Sequence, residues 1–147
     1  MEDRFKKTEA TLYNYKSLEV KIKNIAIDID TLENDITVKA VSYDEKPAPT
    51  NAFHSAVEDE VVRRDEHVKQ QIEMLKAKLK YNQNLKAKID GALEQLTTQE
   101  YKLVNLRYFQ KDKRTWLFIG QELGFDKDYC VKIRNKIIKK LSELIYP

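Results

Sequence analysis

The chain has 147 residues, enough for one ordinary domain or for a small domain with an extended arm. Only 3 glycines and 3 prolines occur and 35% of residues are charged, which favours long helices and disfavours a sheet-rich fold with tight turns. No apolar run approaches the roughly 20 residues that cross a bilayer, and the charged beginning is unlike a signal peptide. With one cysteine and hence no internal disulfide, we expect a soluble, cytoplasmic protein.

The first predicted element is a long amphipathic helix over residues 3–35. Its apolar residues alternate at spacings of three and four, the pattern of a coiled-coil seam. The seam consists of Tyr15, Leu18, Ile22, Ile25, Ile29, Leu32 and Ile36. Such a stripe needs a partner helix, within the chain or in another subunit. The residues predicted to form this oligomer or partner surface are Ile22, Ile25, Ile29 and Leu32.

A linker is predicted at about residues 37–54, because Pro47 and Pro49 disfavour helix. Ser55 and Glu58 have the spacing of a capping box and should start a second long helix that runs to about Leu96. Its apolar positions are Val68, Ile72, Leu75, Leu79, Ile89, Leu93 and Leu96. Asn82 and Lys86 interrupt this stripe; they either fix its register or mark where the helix turns away from its partner.

The predicted fold is therefore all-α, with residues 1–96 forming a long antiparallel helical hairpin that serves as an oligomerisation arm. Residues 97–147 form a second domain. Thr97 and Glu100 have the spacing of another capping box, which opens a short helix. Residues 110–114 are a polar break, after which Thr115 is predicted to cap one helix and Asp126 the next.

Residues 116–135 fit the frame of a helix-turn-helix, the unit whose second helix enters the DNA major groove. Gly120 would let the two helices approach closely, and Gly124 would take a positive φ at the end of the first helix. The inward positions are Ile119, Leu123, Phe125, Cys130 and Ile133, continued by Ile137 and Leu141. Cys130 is interpreted as a small buried hydrophobe and Trp116 as a core residue.

Charge is distributed unevenly between the two predicted domains. Residues 97–147 carry 11 Lys or Arg against 6 Asp or Glu, whereas residues 1–96 carry 16 against 18. The positive charge is concentrated where a phosphate-binding surface is needed.

Residues 89–141 resemble region 4 of bacterial sigma-70-type factors. The shared pattern comprises Leu96, Thr97, Glu100, Arg107-Tyr108-Phe109, Trp116, Ile119-Gly120, Leu123-Gly124, Arg134 and Lys140-Leu141. With its two long N-terminal helices, the whole chain resembles the ArpU/RinA group of phage and prophage regulators. That resemblance implies activation of a late operon, and the resemblance to sigma region 4 implies recruitment of RNA polymerase. No counterpart of sigma region 2 precedes the unit, so we do not expect a complete sigma factor.

The chain departs from the family pattern at two places. Gly120 replaces the alanine typical of the family. Leu117 and Phe118 stand where polar residues are usual, and we expect them to pack on the N-terminal helices or to contact a dimer partner or RNA polymerase. Ordinary surface exposure is the remaining alternative.

Several outward residues near the start of the second helix could reach base edges: Lys127, Asp128, Val131, Lys132 and Asn135. The resemblance places Lys127, Asp128 and Lys132 where the family reads the −35 element. A further set is predicted to contact phosphate, namely Lys113, Arg114, Thr115, Arg134, Lys136, Lys139 and Lys140. The alternative for the lysines furthest along this helix is that they lie on a solvated face and contact no phosphate. Arg107 matches a family position that implies bracing of the domain.

No catalytic motif is present, so no enzyme activity, cofactor or metal is predicted. His54 and His67 have no second ligand pair nearby, which argues against zinc. We predict a sequence-specific regulator of double-stranded DNA that acts as a homodimer or higher homo-oligomer. The alternatives are a small-terminase-like component of phage packaging, and an RNA polymerase-binding module that does not read DNA.

Overall fold

The computed structural model describes residues 2–44 and 54–147, with the side chains of residues 3–35 and 60–147. Within these ranges the chain is all-α, as predicted, and contains no strand. The helices are α1 (Glu2–Tyr13), α2 (Tyr15–Asp44), α3 (His54–Glu94), α4 (Thr98–Tyr108), α5 (Trp116–Leu123) and α6 (Lys127–Ile145). None of the described helices has the length and apolar character needed to cross a membrane.

The N-terminal helical segment differs from its prediction in two ways. It is divided at Asn14, although backbone hydrogen bonds bridge the division, from Asn14 N–H to the Ala10 carbonyl and from Leu18 N–H to the Asn14 carbonyl (3.0 and 2.8 Å). It also continues through residues 37–44, which the sequence placed in the linker. No proline or glycine precedes Pro47, so nothing in this stretch breaks a helix. Residues 45–53, the rest of the predicted linker, lie outside the described residues.

The helix α3 begins at His54, close to the predicted start, but Ser55 then lies inside the helix and not before it, where a capping residue stands. The side chains of Ser55 and Glu58, the expected capping box, are outside the described ones.

The chain divides into two compact units, and the division does not coincide with the boundary predicted between residues 96 and 97. The first unit comprises Met1–Val20 and Asn84–Pro147, and the second comprises Lys21–Gln83. Residues from the chain's first helix and from the end of α3 thus share a unit with α4, α5 and α6. The predicted C-terminal domain is therefore part of a larger, discontinuous unit.

The second unit is built around an apolar cluster from α2 and α3. Ile25, Ile29 and Ile72 are buried at its centre, and four half-buried side chains pack against them: Leu32, Val68, Leu75 and Leu79. Lys76 and Glu33 form an ion pair of 3.1 Å beside the cluster. Two residues of the predicted oligomer surface, Ile25 and Ile29, are therefore buried within a single chain. Ile22, a third member of that surface, is half-buried.

Asn82, which interrupts the stripe of α3, is buried and hydrogen-bonds within its own helix. Its Nδ2 donates to the Lys78 carbonyl at 2.9 Å. One of its amide N–H groups is thus satisfied locally, which reduces the cost of burying the polar side chain.

The core of the first unit takes its fully buried large side chains from five helices. Its largest fully buried side chains include Leu12 of α1, Ile89 of α3, Leu103 of α4, Ile119 of α5, and Ile137, Ile138, Leu141 and Ile145 of α6. The predicted capping box of α4 is confirmed in both halves: Glu100 N–H donates to the Thr97 hydroxyl, and Thr97 N–H donates to the Glu100 carboxylate. This cap fixes where the chain leaves α3 and enters α4.

A polar junction in this unit joins the start of α2 to the end of α3. The Tyr15 hydroxyl donates to the Asp90 carboxylate, and Lys86 Nζ donates to the other Asp90 oxygen at 2.7 Å. The Tyr15 ring also packs against Phe109, with centroids 5.0 Å apart. Burial alone would raise the pKa of Asp90, but the hydrogen bonds from Lys86 and Tyr15 together outweigh it and lower that pKa.

The lowered pKa of Asp90 predicts a dependence of stability on acid. A carboxylate whose pKa is depressed by folding stabilises the protein above its unfolded pKa, and this contribution is lost as pH falls through the folded value. We expect the free energy of unfolding to decrease below about pH 4. Urea titrations of Asp90→Asn between pH 7 and pH 3 should show a shallower decrease. Asp112→Asn, at an exposed position, is the control and should show the same decrease in the free energy of unfolding as the unaltered protein. If both variants showed the same decrease, Asp90 would not be the source of the acid dependence.

Candidate nucleic-acid interface

The segment formed by α5, the connecting turn and α6 has the local geometry that its glycines predicted. Thr115 caps α5, its hydroxyl accepting from Phe118 N–H at 3.2 Å. Gly124 ends the helix at φ 76° and ψ 28°, in the left-handed region that glycine adopts without steric cost. Phe125 N–H then donates to the Gly120 carbonyl at 2.9 Å. These interactions fix the direction in which α6 leaves the turn.

Gly120 is at a close approach between α5 and the turn. A Cβ atom at this position would lie 2.5 Å from the Phe125 carbonyl oxygen, well inside van der Waals contact. The backbone of the turn therefore passes directly over α5, so the close approach predicted at Gly120 is present, but with the turn more than with the second helix.

Asp126 is the first residue before α6, as predicted, but its side chain makes no capping hydrogen bond. The capping prediction is therefore correct for the position and wrong for the interaction. The Asp126 carbonyl accepts the first hydrogen bond of the helix, from Cys130 N–H at 3.0 Å.

The inward side of this segment is apolar, as the sequence frame predicted. Ile119 and Cys130 are fully buried, and so are Ile137 and Leu141 further along α6. Three other predicted inward residues are half-buried, namely Leu123, Phe125 and Ile133. Burial, together with the charge of Asp126, raises the pKa of the Cys130 thiol, in agreement with its interpretation as a small core hydrophobe.

The outward side of α6 presents most of the predicted base-reading residues. Lys127, Asp128 and Lys132 are exposed in its first two turns, and Val131 is half-buried beside them. Asn135 is exposed, but its Oδ1 accepts from Arg134 Nε at 2.8 Å, and the residue lines a groove between α1 and α6. The first three residues are therefore the ones best placed to meet a ligand.

Arg134, predicted to contact phosphate, is instead held inside the unit. Its Nη1 lies 3.2 Å from Glu9 Oε1 of α1, and its side chain is only 18% exposed. Its guanidinium also lies over the rings of Trp116 and Phe5, at 5.2 and 5.6 Å from their centroids. An arginine paired and stacked in this way joins α6 to α1 and α5, which leaves it poorly placed to reach a phosphate.

Four further members of the predicted phosphate-contacting set have internal contacts, and one of them is Arg114, whose guanidinium lies over the Phe118 ring at 5.0 Å. Lys140 Nζ donates to the Gln95 carbonyl at 2.8 Å. Lys113 lies over the Tyr13 ring at 5.3 Å. The Thr115 hydroxyl is engaged in the cap of α5. In contrast, Lys136 and Lys139 are exposed on α6.

The two large apolar residues at the start of α5 have different environments. Leu117 is 62% exposed, so the expectation that it packs on the N-terminal helices is wrong. Phe118 is half-buried, with the guanidinium of Arg114 over its ring at 5.0 Å. The exposed Leu117 thus remains an apolar site on the surface of the unit.

Arg107 braces the polar break that precedes α5. Its Nη1 donates to the Arg114 carbonyl at 2.6 Å, and its guanidinium lies over the Trp116 ring at 4.4 Å. This is the bracing role that the family resemblance implied. The half-buried Trp116 ring is enclosed between Arg107 and Arg134 rather than free to stack on a base.

Two elements of the interface region were missed by sequence reasoning. The first is α1, which packs on α6 through Glu9 and through a hydrogen bond of 2.6 Å between Thr11 and the Tyr146 hydroxyl. Nothing local in the sequence signals this contact. The second is Tyr129, which is exposed on α6 three residues before Lys132. Its helical spacing to that lysine could have identified it.

Comparison with models of known protein families, with curated proteins and with solved structures finds no match. In the part of the chain that the structure describes, no three His, Cys, Asp or Glu side chains come together as ligands for a metal ion.

Proposed function

We propose that the protein is a sequence-specific regulator that binds double-stranded DNA, with α5, the turn and α6 acting as a helix-turn-helix. One observation carries the proposal. Lys127, Asp128 and Lys132 are exposed together on the first two turns of α6, behind a turn that Gly120 and Gly124 hold in place. In a helix-turn-helix these turns enter the major groove, where lysine can bind guanine acceptors and aspartate can accept from cytosine.

The charge around α6 supports the same proposal. Lys136 and Lys139, both exposed on α6, extend the cationic surface beyond the base-reading turns. Cations at these positions would contact phosphate, which sets the register of the protein on the duplex and supplies salt-dependent affinity. The other members of the predicted phosphate-contacting set have internal partners and are left out.

The finer architecture and biological role belong to the same proposal. We take α2 and α3 of the second unit as an antiparallel hairpin that assembles a homodimer or higher homo-oligomer, as their shared apolar cluster suggests. The ArpU/RinA resemblance supports a phage or prophage late-operon activator that contacts RNA polymerase. A fold alone does not define such a role, so these assignments rest on analogy.

The exposure of Leu117 favours a second candidate function, a module that binds RNA polymerase without reading DNA. A leucine that is largely exposed beside Phe118 and Arg114 offers an apolar contact to a protein partner. Such a module would bind RNA polymerase, and Leu117→Ser would abolish that binding. It would not enrich any particular sequence from a pool of DNA duplexes. A DNA regulator would retain its sequence preference in the same variant.

The test is selection from a randomised duplex pool at about 150 mM salt, where screening suppresses purely electrostatic association. A defined motif is expected. On that motif, Lys132→Ala should weaken binding roughly tenfold and relax the preference at one position, the effect of losing one base contact. Lys136→Ala should weaken binding to all sequences alike and reduce the dependence on salt by about one counterion.

The matched control is Lys78→Ala, which removes the same charge from an exposed position in the second unit. It should leave affinity and sequence preference unchanged. If the pool yields no motif, or if Lys132→Ala binds like the control, the proposed docking of α6 in the groove is incorrect.

A further inference from the structure

Tyr129 is an exposed aromatic residue in the first turn of α6. It is 52% exposed, although large apolar side chains on helices with a core face are usually turned inward. Among the described residues of α6, the only other exposed large hydrophobe is Leu144, which lies in the last turn. An apolar group is thus presented at the end of α6 that also carries Lys127 and Asp128.

The Tyr129 ring is held in place by the turn that precedes it. It meets the Phe125 ring edge to face, with centroids 5.2 Å apart and an interplanar angle of 74°. Phe125 is half-buried, and its backbone N–H is bonded to the Gly120 carbonyl. A ring anchored in this way loses little conformational freedom when its exposed part meets a ligand, which favours a role in recognition.

Cationic side chains share the face on which Tyr129 lies. Lys132 and Lys136 follow it at three and seven residues, so all three project from one side of the helix. One apolar ring among ammonium groups is complementary to a partner surface that is mainly anionic and carries isolated apolar groups. The major groove has this character, since the thymine C5-methyl is its apolar feature among base acceptors and phosphates.

We propose that Tyr129 reads the C5-methyl group of a thymine and is therefore a specificity-determining residue. The inference rests on the proposed function, because it assumes that α6 enters the major groove. The contact uses the ring and not the hydroxyl, so phenylalanine should replace tyrosine without loss. Lys132 would then read an adjacent base, while Lys136 contacts phosphate.

The experiment uses the full-length protein and duplexes carrying its selected motif. Each thymine is replaced in turn by deoxyuridine, which lacks only the C5-methyl group. At one position we expect about fourfold weaker binding, the effect of one buried methyl group. Tyr129→Phe should show the same fourfold loss, whereas Tyr129→Ala should bind the thymine duplex more weakly and show no further loss with deoxyuridine.

Tyr101→Ala is the matched control. Tyr101 of α4 is 45% exposed and also meets a phenylalanine edge-on, with its centroid 6.5 Å from that of Phe109. This variant should retain the full response to deoxyuridine. Far-ultraviolet circular dichroism of both alanine variants should show the helix content of the unaltered protein.

Two results would overturn the assignment while leaving the proposed function intact. One is a deoxyuridine effect as large in Tyr129→Ala as in the unaltered protein. The other is an equal loss of affinity by Tyr129→Ala on selected and random duplexes, which would indicate a backbone contact. If Lys132→Ala also leaves sequence preference unchanged, both the proposed function and this inference fail. Loss of RNA polymerase binding by Tyr129→Ala, with DNA recognition unchanged, would overturn the inference in favour of a protein contact.

Discussion

Gly120→Ala is expected to destabilise the first unit by about 1–3 kcal/mol, the range found when extra atoms are forced into a packed site. The new Cβ would lie 2.5 Å from the Phe125 carbonyl oxygen, which is backbone and cannot rotate away. Relief requires the turn to shift, and the turn also positions α6 through the hydrogen bond from Phe125 to Gly120. Equilibrium unfolding in urea measures the loss of stability.

Gly91 provides the matched control for this prediction. It is an exposed glycine within α3, and a Cβ built there meets no atom within 4 Å. Gly91→Ala should therefore stabilise the protein by about 0.4–1 kcal/mol, because alanine restricts the unfolded chain and favours helix. If the two substitutions changed stability by the same amount, the close approach at Gly120 would not be the cause.

The second large effect is expected for Arg134→Ala, which should destabilise the first unit by about 2–3 kcal/mol. Removing the guanidinium leaves Glu9 largely buried without its partner, and also removes the contacts over Trp116 and Phe5. The estimate lies below that for fully buried pairs because both side chains retain some contact with solvent. Arg134→Lys should restore the lost stability only in part, since a lysine cannot pair with a carboxylate and stack on aromatic rings at the same time.

The matched control is the exposed ion pair between Arg64 and Glu60, in which the Arg64 side chain is 70% exposed. Arg64→Ala should change stability by no more than about 0.5 kcal/mol. A double-mutant cycle with Glu9→Gln isolates the contribution of the Arg134 pair. Unchanged stability of Arg134→Ala together with weaker DNA binding would instead restore the phosphate-contacting role that the sequence suggested.

The sequence predicted those features of the interface that depend on neighbouring residues. The caps at Thr97 and Thr115 and the positive φ of Gly124 all arise from contacts that span a few positions. The end of α2 was predicted less accurately, because the end of a helix is hard to place where no helix-breaking residue is close. For Asp126 the sequence identified the residue before α6, but a side-chain rotamer decides whether a capping hydrogen bond forms.

Contacts between distant residues were not predictable in this way. The charge of Arg134 is equally suited to phosphate or to a carboxylate, and no local pattern indicates that Glu9 lies beside it. Similarly, Lys140 has the sequence character of a solvated lysine but is bound to the Gln95 carbonyl. The predicted seam begins at Tyr15, in α2, so no pattern in the sequence indicated that α1 would pack against α6.

The docking of α1 on α6 affects how the chain acquires its structure during synthesis. Glu9 is translated 125 residues before Arg134, so α1 emerges from the ribosome long before its partner helix. Until α6 follows, Thr8 and Leu12, which are fully buried in the finished unit, lack a substantial part of their packing surface. Contacts of this sequence separation form slowly and leave apolar surface open to other chains in the meantime. We therefore expect the candidate DNA-reading unit to assemble late in folding, after the local helices between its two parts have formed.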